Sequence, residues 1–565
     1  MKLSKLIKIK HKITPNRLII LAVVLVYLVL AWIYFGPDSI HSLGSHIFNN
    51  GADPQQFVWY YNWWPYAITH HLNPFISRYV WYPKGYNVSW STSIPTLSLL
   101  MLPVTLLGGA VLSYNLVALL SPVMAALTMF ALIKYITKNN YAAFLSGYIY
   151  GFSSFMLGQL LGHPHQYAIF ILPLMILVYL LLLNRRIKPV YFVICEAVLL
   201  LMQTGISLEI TLTFTLFAAL FWVLAYWLSE HRALLRRSIK YIIYSFIVYI
   251  VALSPFIFFL LKGLSNLPKT IHPLIPFSLN LANLFIPTQL TLIGGNGLTS
   301  LTRFYTGNIA ENGAYVGLPL LLIMLYITIR YWQDKILRVS ILTLIIVGIA
   351  ALGPRLHLIG QTGASLWMPW ALVAKIPLID AAQPDRFALY IFLIIAVVIG
   401  IWLAKDSKDR SYLRLKYILV LVGLVFIIPN SSYYSWSKPK LPAIFEKQNL
   451  SLYLNGQPNL LILPFNNSSI YYQYASHMTF TQTGGYVGFT PKDYATNPVV
   501  KALLSSQLPP NFNQLFINFV RQNHITKIII IKPLTPPPII NAISKLNWQK
   551  QTIGNSWLII PNNNQ

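Results

Sequence analysis

Apolar runs of some twenty residues recur along most of this 565-residue chain, and that repetition decides what it can fold into. A helix of that length matches the hydrocarbon thickness of a bilayer, whereas a soluble core helix is usually shorter. Composition agrees: 56% of the residues are hydrophobic and only 10% charged, where a soluble domain carries about a quarter. The mean hydropathy is +0.59. A soluble Rossmann enzyme, a disulfide-stapled module and a disordered tail are excluded. The one cysteine, Cys195, lies in an apolar run, which leaves neither a disulfide framework nor a cysteine metal site.

The formal charge of +28, from 41 Lys and Arg against 13 Asp and Glu, would suggest nucleic acid in a soluble protein. Here the basic residues gather in short loops between apolar runs, where they set orientation, so no nucleic-acid partner is expected. Placing Lys134–Lys138, Arg185–Lys188, His231–Lys240, Arg330–Arg338, Lys405–Lys416 and the basic segment 1–16 on the cytoplasmic side gives eleven spans. These are 17–36, 112–134, 141–157, 166–184, 189–204, 207–229, 241–262, 315–330, 339–353, 388–404 and 416–430. The first is read as a retained span, because it shows no signal-peptide cleavage site. Parity keeps residues 93–111 from crossing: Pro95–Leu107 is short and broken by Pro95, Pro103 and Gly108–Gly109, so it lies in the interface or re-enters.

The expected architecture is a polytopic membrane domain over 17–430 with three long external loops, 37–111, 263–314 and 354–387. The aromatic segment FVWYYNWWPYAI in the first loop reads as an interfacial helix at headgroup level. Over 431–565 the β-type runs LLILPF, HMTFTQ, KIIIIKP and WLIIP alternate with helical stretches Pro498–Ser506, Asn513–Asn523 and Ile539–Leu546. This reads as a small α/β domain on the external face of the cytoplasmic (inner) membrane.

Mapped on that topology, the scarce polar residues converge at one depth on one side. Asp53 follows the first span; His163 and His165 (GHPHQ) occupy a short external turn. Glu209 opens the sixth span, Glu311 (GNIAENGAY) closes the second long loop, and Asp380, Asp385 and Arg386 (LIDAAQPDRF) close the third. Only Glu196 falls in mid-span, where pairing within the bundle or protonation is expected. Charges near hydrocarbon face a cavity or a partner. Carboxylates can take the proton of an acceptor hydroxyl. Arginine or a divalent cation can meet a phosphate leaving group, and aromatic rings can hold a sugar or a prenyl chain. The combination fits glycosyl transfer from a lipid-phosphate donor. Glu311 and Glu209 are the assisting carboxylates in that reading. Arg386, His163 and His165 meet the phosphate, and Trp59, Trp63, Trp64 and Tyr66 stack on the sugar or line the tail groove. The structural alternatives are a capping role for Asp53, interfacial polarity for the histidines and a salt bridge or cap for Asp385 with Arg386. The glycine-rich stretch Thr483–Pro491 lacks the context of a nucleotide site and reads as a loop of the external domain that closes over the cavity.

The stretches GADPQQFVWYYNWWPYAITHHLNPF, AAFLSGYIYGFSS, ENGAYVGLPLLL and QPDRFALYIFLI resemble the GT-C superfamily of membrane glycosyltransferases, most closely the bacterial YfhO-type membrane proteins. The resemblance implies transfer of a sugar from a polyprenyl-phosphate donor to a glycan, lipid or protein acceptor on the outer face. It makes Asp53 the general base or a metal-linked carboxylate. Pro54 and Gln55 follow Asp53, so there is no DxD or ExD pair, and a Mg2+ or Mn2+ ion is compatible with the sequence without being required by it. The WWD signature of oligosaccharyltransferases is absent, Trp63–Trp64 being followed by Pro65. A transporter of lipid-linked glycan or polysaccharide and a non-catalytic accessory protein are the competing readings. A transporter would need its decisive polar residues near the midplane.

Overall fold

A computed structural model describes residues 15–266, 274–360, 366–376, 382–405, 409–454, 456–466 and 468–562; the N-terminal basic residues 1–14 and Asp380 lie outside the described residues. In chain order the helices are α1 (Pro15–Phe35), α2 (Ala52–Thr69), α3 (Leu102–Thr137), α4 (Asn140–Gly151), α5 (Ser154–Gln159), α6 (Pro164–Tyr167) and α7 (Ile171–Leu183). There follow α8 (Pro189–Thr204), α9 (Leu208–Leu228), α10 (Arg232–Gly263), α11 (Leu318–Arg330), α12 (Lys335–Ala351), α13 (Ala388–Ala404) and α14 (Arg410–Phe426).

Every one of the eleven expected spans falls on helix, yet the count of eleven is not reached by length. Among the described residues six helices are long and apolar enough to cross a membrane: Arg17–Phe35, Leu102–Thr137, Pro164–Leu183, Leu208–Leu228, Arg232–Gly263 and Pro384–Ala404. Hydropathy alone runs across helix breaks. The apolar run 141–157 is two pieces, α4 and α5, parted at Phe152–Ser153, where Ser153 caps the second helix through Met156 N. The doubtful stretch 93–111 is a helical turn, Pro95–Leu100, and then the first residues of α3 before Gly109 interrupts that helix with φ +85°.

Packing grades from enclosed to lipid-like. Buried residues make up 83% of the most apolar window of Pro384–Ala404 and 72% of that in α3, but only 22% in α1 and 11% in α10. Apolar side chains left outside in such numbers are stable only against hydrocarbon. The two ends of the helices differ in charge. At one end Lys405 Nζ pairs with Asp334 Oδ2 at 2.7 Å, Lys335 pairs with Glu230, and Lys416 Nζ donates to the carbonyls of Trp402, Leu403 and Lys405. At the other end, where α9 and α13 begin, lie Glu209 and Arg386.

The expected interfacial helix is a core helix. Trp59, Tyr60, Tyr61 and Trp63 of α2 are at most 1% exposed, and Trp59 stacks on Trp63 with centroids 5.4 Å apart. Headgroup-level aromatics and buried aromatics have the same composition; what separates them here is the C-terminal segment that covers α2. That segment is built on a five-stranded sheet in the order Thr481–Gln482 (β2), Asn459–Leu463 (β1), Lys527–Ile531 (β3), Ser556–Ile560 (β5) and Gln549–Ile553 (β4). β1 runs parallel to β2 and β3, whereas β5 is antiparallel to both β3 and β4. Trp59 Nε1 donates to Gln473 Oε1 (2.9 Å), and Tyr60 donates its hydroxyl to the Val487 carbonyl. The loop Tyr79–Tyr82 joins the edge of β2 through Gln482 N to Tyr79 O and Tyr82 N to Gln482 O, both 3.0 Å. We therefore expect Trp59→Ala to cost about 3–5 kcal/mol, as truncating a buried Trp does. Limited proteolysis should then cut within 473–494 well before it cuts the helices.

Candidate functional site

Five of the residues singled out by sequence come together in one chain of charged contacts. Arg386 is at its centre. Its Nη1 lies 2.7 Å from Glu209 Oε2 and its Nη2 2.6 Å from Glu311 Oε1, while Nε reaches both Glu311 oxygens at 3.2 Å. Glu209 also accepts from Gln166 Nε2 (2.7 Å) and from the backbone N–H of Gln383 (2.9 Å). Gln159 Nε2 donates to Glu311 Oε2 (2.9 Å), and Gln159 Oε1 stands 2.8 Å from His163 Nδ1. His163 Nε2 then faces Asp53 Oδ2 at 3.4 Å.

Local sequence explains each position. Ser207 caps α9 through Ile210 N, which fixes Glu209 in the first turn. Asn308 Oδ1 accepts from the N–H groups of Ala310 and Glu311, an Asx turn that aims Glu311 inward. Gly158 lets that turn approach α5, since a Cβ there would lie 2.2 Å from Ala310 O. Gly162, at φ +143°, does the same for α2: a Cβ would meet Pro54 Cδ at 2.8 Å. Asp53 sits in the first turn of α2, where the unpaired N–H groups favour an anion.

Burial divides the cluster in two. The Glu311 and Arg386 side chains are 2% and 12% exposed, that of Asp53 54%. Burial pushes the Glu311 carboxyl up, but the Arg386 charge and hydrogen bonds, with His163 and Gln159, outweigh it and bring the group down to about 2. The His163 contact and the nearby Arg386 charge hold Asp53 below its ordinary value against partial burial. Because the Gln159 amide nitrogen is spent on Glu311, its oxygen takes the Nδ1–H of His163. Nε2 is thus the ring nitrogen turned to the Asp53 carboxylate.

The remaining expected residues have other work. His165 is buried, its ring on Phe57 (5.4 Å) and 5.7 Å from that of His163. Trp63 Nε1 donates to Pro74 O and Trp64 Nε1 to Ser93 O, while the Tyr66 hydroxyl meets that of Tyr79. These three aromatics, with Trp59, fasten loop and tail to α2 rather than lining an open groove. Arg386 is engaged by two carboxylates and does not stand free for a phosphate. Its neighbour Asp385 is buried but is not its ion-pair partner, and Asp385 Oδ1 has no hydrogen-bond partner. Glu196 Oε2 likewise has none, so the pairing expected for Glu196 is not seen. Among the described residues no group of three His, Cys, Asp or Glu side chains is arranged to hold a metal ion.

Sequence reading missed the glutamines Gln159, Gln166 and Gln383. For Gln159 and Gln166 the signal was an amide side chain beside an apolar stretch, Gln159 four residues before His163; Gln383 acts through its backbone N–H, which leaves no side-chain signal. The glycine-rich loop does reach the site: Tyr486 is close enough to Asp53 that, after burial, the carboxylate charge helps raise its phenol.

A model for the family described as Domain of unknown function (DUF6311) matches residues 23–428, and the chain belongs to that family. Its structural neighbours are GT-C glycosyltransferases. The fold is similar to that of arabinofuranosyltransferase AftD from Mycobacteria, at 12% identity and a TM-score of 0.57, covering 97% of this chain and 42% of that one. It is also similar to the apo Archaeoglobus fulgidus oligosaccharyltransferase, at 12% identity and a TM-score of 0.52, covering 90% and 69%. This chain thus spans less than half the length of AftD, and at these identities the likeness is one of fold. No curated protein sequence matches the chain. The YfhO-type resemblance is carried by the sequence stretches alone.

The ion-pair chain makes two predictions. Glu311→Gln should cost about 3 kcal/mol in thermal unfolding, because it strips a partner from a buried guanidinium. Arg386→Gln combined with it should cost less than the two single changes added. A depressed carboxyl contributes stability above its unfolded value and loses it on acidification. The wild-type melting temperature should therefore fall as pH drops from about 4.5 towards 2, and Glu311→Gln should flatten that limb.

Proposed function

We propose that this chain is a membrane glycosyltransferase that moves a sugar from a polyprenyl-phosphate donor to an acceptor hydroxyl, with Asp53 as the general base. One observation carries the reading: Asp53 is the half-exposed carboxylate at the edge of an otherwise buried cluster, held ionised by His163 and by its helix terminus. The fold shared with GT-C glycosyltransferases supports it.

In the reaction proposed, the acceptor oxygen attacks the anomeric carbon while its proton passes to Asp53. The bond from that carbon to the phosphate oxygen breaks, and polyprenyl phosphate departs with the electron pair. A base of depressed pKa is always ready but weak, so the proton moves late, as the new C–O bond forms. His163, in its charged form, is the cation beside Asp53 that a phosphate can reach. Glu209, Glu311 and Arg386 act through His163 and Gln159 as positioning residues. A divalent cation would find Asp53 and, only in place of the proton on its Nε2, His163, since Glu209 and Glu311 are spent on Arg386. The basic loops at the opposite helix ends support an orientation with the site on the outer face of the inner membrane. The acceptor is a glycan, lipid or protein hydroxyl.

The test is transfer from a panel of radiolabelled polyprenyl-phosphate sugars by purified protein in nanodiscs, with and without EDTA. Asp53→Asn should keep its melting temperature and lose about a hundredfold or more in rate. Arg386→Ala should lose both rate and stability. A folded, fully active Asp53→Asn protein would sink the proposal.

A further inference from the structure

At the charged end opposite Asp53, α1 and α7 each pack on α3 but diverge from one another. The cleft left between them is lined by Ile20 and Val24 of α1, Leu127 and Phe130 of α3, and Leu177 and Leu181 of α7. Its volume, about 540 Å³, falls within the ~300–1000 Å³ usual for ligand clefts. The walls are almost wholly apolar, and the lining adds two lysines, Lys134 and Lys138, and no acid. Lys134 Nζ is shielded from solvent, lies 5.5 Å from the Phe130 ring centroid and has no hydrogen-bond partner among the described residues. Lys138 Nζ lies 4.5 Å from the Tyr135 ring centroid.

A shielded ammonium with three unused donors is costly unless an acceptor reaches it. Three other lysines at this end, Lys335, Lys405 and Lys416, have acidic or carbonyl partners. An apolar cleft that ends in one shielded ammonium and a second, exposed lysine complements a molecule with a hydrocarbon chain and an anionic head. We propose that this cleft binds an anionic phospholipid, its phosphate between Lys134 and Lys138 and an acyl chain along Ile20, Val24, Leu127 and Leu177. The site occupies the membrane half opposite the Asp53 cluster. It is independent of the glycosyltransferase reading, and either can fail without the other.

The experiment uses the full chain, delipidated in detergent, with phosphatidylglycerol or phosphatidylcholine of identical acyl chains added in parallel. Phosphatidylglycerol should raise the melting temperature by several degrees, and native mass spectrometry should show one such lipid retained. Phosphatidylcholine should do neither. Lys134→Gln with Lys138→Gln should keep the lipid-free melting temperature and lose the selectivity. Should that pair fail to fold, Ala131→Phe narrows the floor of the cleft without touching a charge, and should weaken retention of phosphatidylglycerol. Equal shifts from the two lipids, selectivity surviving both variants, or the same shift from inorganic phosphate alone would overturn the proposal.

Discussion

The guanidinium of Arg386, clamped between Glu209 and Glu311, is the contact on which the site depends. Its three members come from the start of α13, the start of α9 and the loop ahead of α11, segments that share no local sequence. Removing three charges from water is costly, and geometry alone offsets the cost: Arg386 forks onto Glu311 while Gln159, Gln166 and the Gln383 amide take the remaining lone pairs. The cluster thus fixes where α9, α13 and the Glu311 turn meet. It also fixes Gln159, and through it the tautomer of His163 that Asp53 faces.

Around that rigid centre the aromatic helix α2 acts as a spacer. Its rings are buried between the apolar helices and the C-terminal sheet, and the polar groups of Trp59, Tyr60, Trp63 and Trp64 are spent on Gln473, Val487, Pro74 and Ser93. Such a helix has little freedom, so the residue at its first turn is carried to a defined place. Asp53 is consequently exposed without being loose. The glycine-rich loop is tied to the same frame, with Val487 on Tyr60 and Gly484 on Trp81.

Much of this was legible because the chain is so apolar. In a background with 13 acids, a carboxylate at the start of an apolar run stands out, and Asp53, Glu209 and Glu311 were all found that way, as were Arg386 and His163. Their partners were not legible, since pairing across 75 or 177 residues leaves no periodic trace. Asp385, adjacent to Arg386 in sequence, was the natural choice and is not the partner. The strands at LLILPF, KIIIIKP and WLIIP were visible as unbroken β-branched or apolar runs. The edge strand Gln549–Ile553 was hidden by its exposed polar residues. The depth of α2 was unreadable, because it depends on a sheet folded from residues four hundred positions away.

The division of burial within the cluster bears on what chemistry it can support. Two carboxylates against one guanidinium leave the buried part net negative, and Asp53 adds to that. An anionic donor approaching the site meets repulsion from Asp53 and Glu311, relieved only by His163 and by the N-terminal amides of α2, where Gly51 offers no side-chain cap. The same field helps a reaction that builds positive charge at an anomeric carbon, because a negative potential stabilises an oxocarbenium-like centre more than the neutral sugar before it. In the proposed reaction, weak phosphate binding and strong transition-state stabilisation are then two effects of one charge arrangement.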